Sequence, residues 1–156
     1  MKIREIAERH PELLTSILAK STGALGEVLV AEALRERGFR VRPVNNNTFQ
    51  YDLEVTSPAG VTFGVEVKAD RARRPTWFVR TRPSIDASQF WFFVSAPREP
   101  DQLADPALVE MFILTSMETR VIWDNSDWNK RNPTNGDVRR WQIPDDALNA
   151  WHKLPQ

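Results

Sequence analysis

Three acids and one lysine are spaced along this chain as though two strands and a helix were meant to bring them together. Over residues 50–56, Gln50, Asp52 and Glu54 alternate with Tyr51, Leu53 and Val55. Over residues 61–69, Glu66 and Lys68 alternate with Val61, Phe63, Val65 and Val67. Strand side chains point to opposite faces in turn, so each stretch carries one apolar and one polar face. The turn material Ser57-Pro58-Ala59-Gly60 between them is short enough to make a hairpin. Asp52, Glu66 and Lys68 then leave the same side of a sheet. A solvated outer face is the ordinary fate of such a hairpin, but Glu27 speaks against it here. On a helix Glu27 shares a face with Ala24, Ala31 and Leu34, and with Gly23 one turn earlier, a small apolar stripe suited to packing on a sheet. A carboxylate buried there needs a cation or hydrogen-bond donors, and a buried salt bridge is the structural alternative. Beside it, Gly26 costs about 0.5–1 kcal/mol in a helix interior, which close approach of helix and sheet would justify. If the three acids converge, two charges 4 Å apart repel by about 1 kcal/mol in water and about 4 kcal/mol at an effective dielectric of 20. One lysine does not neutralise them. A hard divalent cation with oxygen ligands, such as Mg²⁺, does. Cysteine is absent and the two histidines, His10 and His152, stand near the ends, so a His- or Cys-based zinc or iron site is not expected.

The elements that must hold these groups follow from turn and periodicity signals. Short helices are expected over 2–9 and 11–20. A third is expected from a Ser21 or Thr22 cap to Arg37, stopped by Gly38. Strands are expected over 39–44, 49–56 and 61–69, with a turn at 45–47, and apolar runs at 90–95 and 109–115 read as two more. A proline-bearing loop over 96–106 separates those runs. Beyond them lie a helix over 116–124, a polar loop over 125–137, a strand over 138–143 and a closing helix over 144–153. The fold class is therefore α/β or α+β, a central mixed sheet flanked by helices. With 156 residues, 41 % hydrophobic and 27 % charged, the chain fits one soluble domain over 1–156. Its longest apolar runs are too short to span a membrane. Its opening segment MKIREIAERH lacks a signal peptide's apolar core, and a cytoplasmic location is expected.

The joint pattern resembles the PD-(D/E)xK nuclease superfamily, which includes restriction endonucleases, archaeal-type Holliday junction resolvases, small homing endonucleases and repair nucleases. The resemblance rests on a helix with GALGE, then YDLEV, then FGVEVKAD 14 residues after Asp52, and covers about residues 22–70 within a motif core of about 22–95. Asp52 matches the motif aspartate, Glu66 the second acid, Lys68 the lysine and Glu27 the helix glutamate that some branches carry. Tyr51 stands where the motif has proline. The resemblance implies a restriction-endonuclease-like core and an endonuclease that hydrolyses DNA phosphodiester bonds with a Mg²⁺-activated water, Mn²⁺ substituting. Asp52, Glu66, Glu27 and the Val67 carbonyl are implied as metal ligands, with Lys68 orienting the water and offsetting charge. A homodimer or higher homo-oligomer is the expected assembly.

Net charge is zero but unevenly distributed. Up to Arg82 there are 14 basic and 10 acidic residues, and beyond it 7 and 11. Between Lys68 and Arg82 the cations Arg71, Arg73, Arg74, Arg80 and Arg82 meet one acid, Asp70, with Trp77 and Phe78 among them. Such a strip suits a nucleic-acid backbone, because the local field and not net charge attracts phosphate. Trp77 would either stack on a splayed base or pack in the interior. The competing readings are a nucleic-acid-binding or complex subunit without cleavage on the same fold, and a toxin-type or RNA-directed nuclease.

Overall fold

The computed structural model describes residues 22–44 and 51–156. The helices expected over 2–9 and 11–20 and the turn at 45–47 lie outside the described residues. The first described element is α1 (Thr22–Arg35). It stops before Gly38, whose φ of +85° is the left-handed conformation that glycine adopts without a Cβ penalty. Then come β1 (Arg40–Pro43), β2 (Leu53–Thr56) and β3 (Thr62–Asp70), an antiparallel meander. Next are β4 (Thr76–Phe78), β5 (Gln89–Ser95), β6 (Glu110–Thr115), α2 (Ser116–Asp124), α3 (Asp127–Arg131) and β7 (Asp137–Arg139).

A five-stranded mixed sheet runs in the order β1-β2-β3-β5-β6, with β3 and β5 parallel and the other neighbours antiparallel. This is the expected α+β class. Its faces are buried by different partners. On one, α1 sets Leu25, Leu29, Val30 and Leu34 against Val55, Phe63, Val65, Val67, Phe92 and Val94. On the other, Trp91, Phe93, Phe112 and Leu114 meet Trp77, Trp123 and Val138, contributed by α2 and a small antiparallel β4-β7 sheet. Covered on both faces, β5 is buried from Gln89 to Val94, which is why it reads as an unbroken apolar run. Each fully buried large side chain contributes about 1.5–3 kcal/mol, so these two layers hold the sheet rigid beneath the acids.

Four expectations change. The strand expected over 138–143 is only Asp137–Arg139, and it pairs with β4 outside the main sheet. The closing helix over 144–153 is instead two single 3₁₀ turns, Asp145–Ala147 and Trp151–Lys153. Leu148 bridges to Phe112 and Asn149 takes a φ of 52°, which breaks helical continuity between them. The polar loop over 125–137 contains α3, started by Ser126, whose hydroxyl accepts from the Asn129 N–H. The loop over 96–106 carries a 3₁₀ turn at Pro100–Ala104, and a second follows at Pro106–Leu108.

Candidate active site at the β2–β3 edge

Asp52 stands in the bend that precedes β2, and this bend is what places it. Tyr51 lies across Gly64 of β3: a Cβ there would sit 2.5 Å from the Tyr51 ring, so only glycine lets the ring lie flat on the strand. The Asp52 backbone N–H donates to the Val65 carbonyl at 2.9 Å, and its carboxylate accepts the Val67 N–H at 2.8 Å. The carboxylate thus takes a ladder position just beyond the end of β2. In an extended strand the N–H and C=O of one residue leave on the same side, so the Val67 carbonyl points toward the edge that Asp52 occupies. Asp52 is buried, at 8 % exposure.

Glu66 and Lys68 leave β3 on the face opposite Val65 and Val67. The Lys68 ammonium contacts the Glu66 carboxylate at 2.5 Å, with side chains 29 % and 15 % exposed respectively. Beneath them lies Trp91, the register partner of Glu66, and Lys68 Nζ stands 5.9 Å from its ring centroid. Burial pushes the Glu66 carboxyl above its ordinary value, Lys68 pulls it down, and the Asp52 charge raises it again.

Glu27 approaches from α1, which packs on the Val65 and Val67 face, and lies within the fields of Asp52, Glu66 and Lys68. Of the face expected around it, Ala31 and Leu34 are buried while Gly23 and Ala24 are exposed, so Glu27 sits half-buried at the margin of the helix–sheet contact. The close approach anticipated from Gly26 is real. A Cβ on Gly26 would lie 2.5 Å from Ala69 Cβ and 3.3 Å from Val67 Cγ1. Burial raises the Glu27 carboxyl, the Asp52 and Glu66 charges raise it further, and Lys68 opposes them. Glu27 and Glu66 therefore both stand in the fields of Asp52 and Lys68. Among the described residues, no group of three or more His, Asp or Glu side chains is placed to hold a metal ion.

The basic strip divides. Arg73, Arg74 and Arg80 are exposed and have no acidic partner among the described residues. Arg82 does not stand free: its Nε and Nη2 hold both oxygens of Asp124 at 2.7 and 2.6 Å. Arg71 is turned toward the backbone carbonyls of Pro97 and Arg98. Trp77 is no stacking platform. It is 1 % exposed, and its indole N–H donates to the Val94 carbonyl at 2.9 Å, so it is a core residue that locks the β4-β7 sheet onto β5. Sequence reading did not single out Trp91 or Gly64 for the site. A glycine inside an otherwise regular strand was the available signal for Gly64.

No protein-family model matches the chain, and no curated protein matches it. Among solved structures it is similar to a bacterial homing endonuclease, I-Ssp6803I, with 15 % identity and a TM-score of 0.49 over 83 % of this chain and 86 % of that one. At that identity and score, neither activity nor substrate carries over from that protein to this chain.

Proposed function

We propose that this protein is a metal-dependent endonuclease of the PD-(D/E)xK type that hydrolyses DNA phosphodiester bonds with water. The observation that carries this reading is the Glu66–Lys68 contact at 2.5 Å beside Asp52, whose carboxylate is anchored on the Val67 N–H, with Glu27 in the field of all three. A purely structural acid cluster would be neutralised by its neighbours. Here burial and mutual repulsion hold two of the three carboxyls above their ordinary values, the electrostatic signature of a group short of positive charge.

The donor types suit a hard divalent cation, which carboxylate oxygens of Asp52, Glu66 and Glu27 and the Val67 carbonyl would hold. When bound, Mg²⁺ or Mn²⁺ supplies Lewis-acid polarisation of the phosphoryl oxygen and a more acidic water. The protein's own groups do the rest. The Val67 N–H fixes the rotamer of Asp52, so that this carboxylate is preorganised. Lys68, held over Trp91, offers its ammonium to a water or to the charge that develops on the phosphate as the bond to the attacking oxygen forms. Glu66, which Lys68 contacts at 2.5 Å, would be among the residues holding the cation, leaving the Lys68 ammonium to meet the water or the phosphate. Arg73, Arg74 and Arg80, following β3 directly, supply sequence-independent attraction for the backbone.

The test is nicking of supercoiled plasmid with Mg²⁺ or Mn²⁺, followed by a panel of duplex, branched and single-stranded DNA and of RNA. Cleavage that a chelator abolishes and Asp52→Ala removes is the expected result. Tight DNA binding with no hydrolysis in either metal would overturn the enzyme reading in favour of a binding subunit, and cleavage confined to RNA would overturn the choice of DNA.

A further inference from the structure

We infer that the loops following the parallel strands β3 and β5 form a cleft that grips one backbone phosphate of the nucleic acid between Arg73 and Arg98. This deepens the nuclease reading and rests on it. The cleft is lined by Arg71, Arg73, Ser95, Arg98 and Leu108, among others, at the carboxyl ends of the one parallel strand pair in the main sheet. Ligands favour that end of parallel strands, where the loops diverge.

Three observations make it a built cleft and not a chance gathering of surface cations. First, the loops are clasped reciprocally. Arg71 donates from Nε to the Pro97 carbonyl at 3.1 Å and from Nη2 to the Arg98 carbonyl, while Arg98 donates from Nε to the Arg71 carbonyl at 3.2 Å. Arg71 is therefore a positioning residue, and each loop sets the position of the other. Second, Asp70, the acid nearest Arg71 and Arg73 along the chain, is already occupied, while Glu99, next to Arg98, is exposed and forms no ion pair among the described residues. The Asp70 Oδ1 accepts the N–H groups of Arg71 and Ala72, and its Oδ2 accepts that of Thr76 at 2.8 Å. The carboxylate folds the loop and leaves the arginines unneutralised. Third, Arg73 and Arg98 are exposed, and neither forms an ion pair among the described residues. Two arginines lining a shared cleft with no ion-paired acid match a phosphodiester, which is singly charged and accepts several hydrogen bonds.

Position agrees with this use. Lys68 and Arg71 are three residues apart on an extended chain, about 10 Å at roughly 3.3 Å per residue. Phosphates of one DNA strand advance about 3.4 Å along the axis per nucleotide, so the start of the cleft lies about three nucleotides of rise from Lys68. It would hold a strand in register with the site without touching the bond that breaks.

The experiment is a salt titration of binding to a short fluorescein-labelled DNA duplex, followed by anisotropy in chelator from about 50 to 200 mM salt. It compares wild type with Arg73→Ala, Arg98→Ala and the double variant, with Arg42→Ala, whose partner is Glu54 in the β1–β2 pair, as the charge control. Because two arginines on one phosphate back each other up, each single variant should nearly keep the wild-type slope while the double loses about 0.9 in log K against log[salt]. A loss of about 0.9 in each single variant, adding in the double, would mean two separate solvated charges and would overturn the shared cleft. An unchanged slope in the double variant would overturn the contact altogether while leaving the nuclease reading intact. Wild type that binds no duplex overturns the phosphate grip, while the nuclease reading stands or falls on plasmid nicking with metal. Matching circular dichroism melts for all variants establish that slopes are compared between folded proteins.

Discussion

Two carboxylate sites in this molecule each have a lysine within reach, and they titrate in opposite directions. At the start of α2, Glu118 loses hydration on burial, yet the Lys153 ammonium at 2.9 and 3.0 Å and the Thr115 N–H at 2.8 Å together hold it below its ordinary value. At the β2–β3 edge, Glu66 touches Lys68 at 2.5 Å and is nonetheless held above its ordinary value, because burial and Asp52 outweigh the lysine. The difference is not the presence of a cation but the ratio of charges and donors. Glu118 is one acid with a lysine, a backbone donor and the positive end of a helix, an arrangement that closes on itself. Glu27 and Glu66 both lie in the field of Lys68, yet burial and the Asp52 charge keep them above their ordinary values. Stability alone accounts for the first site; at the second, the proposed cation would supply the charge that Lys68 does not.

The largest effect should come from removing the anchored acid. Asp52→Asn keeps the volume and the Val67 contact but removes the charge, and plasmid nicking should fall by about 10³-fold or more while duplex binding in chelator stays within about twofold. Glu118→Gln, treated identically, should leave nicking near wild type. If both variants lose activity equally, the contrast between the sites collapses and Asp52 is serving the fold.

Next in size is the contact that brings Glu27 to the edge. Gly26→Ala must push α1 off Val67 and Ala69, since its Cβ would stand 2.5 Å from Ala69 Cβ. The overpacking should cost about 1–3 kcal/mol in denaturant unfolding. That exceeds the gain of about 1 kcal/mol that alanine brings to a helix. Cleavage should fall with it, because small displacements of positioning elements can cost about 10²-fold. Adding Ala69→Gly should restore much of both losses. Stabilisation by Gly26→Ala alone would show that helix and sheet are not tightly seated there.

How far the sequence carried this comparison depended on whether a signal was local. Alternation in 50–56 and 61–69 was enough to bring Asp52, Glu66 and Lys68 to one edge, because strand faces follow from period two alone. Glu27 and Gly26 were legible for a similar reason: a carboxylate and a glycine both violate the helix stripe in which they sit. The basic strip was only partly legible. Cations can be counted from sequence, but Arg82 and Arg71 are engaged by Asp124 and by the 97–98 backbone, contacts 42 and 26 or 27 residues distant. Trp77 was ambiguous because Trp77 and Phe78 are adjacent, and only the three-residue pairing of β4 with β7 decides which ring turns inward. The closing segment failed through propensity: Asp145, Ala147 and Leu148 read as helix, while the Phe112 bridge and left-handed Asn149 break it.

At the closed site, Glu118→Ala removes the partner of Lys153 and half of the capping box with Thr115. The expected loss is about 1 kcal/mol, read as a fall of about 2–4 °C in melting temperature. No gain from Mg²⁺ is expected to be altered by it.

The smallest effect has the opposite sign and is the sharpest test of the comparison. Glu27 and Glu66 have folded-state values raised by burial and by like charge, so protonation favours the fold. That contribution is fully present below the ordinary carboxylate range and is lost as pH rises through the raised folded values. At neutral pH the ionised Glu27 is therefore a small cost to folding. Glu27→Gln should raise the melting temperature at pH 7 by about 1–2 °C and change it little below about pH 4, where the native side chain is already uncharged. Millimolar Mg²⁺ should reverse the order at pH 7, because a cation that binds only the folded state stabilises it by mass action and binds best where the acids are complete. Millimolar Mg²⁺ should leave Glu118→Ala shifted as much as wild type, since that carboxylate already has its cation. A Glu27→Gln variant less stable than wild type at pH 7 in chelator would mean that Glu27 is satisfied within the protein, and the open site would then consist of Asp52, Glu66 and Lys68 alone.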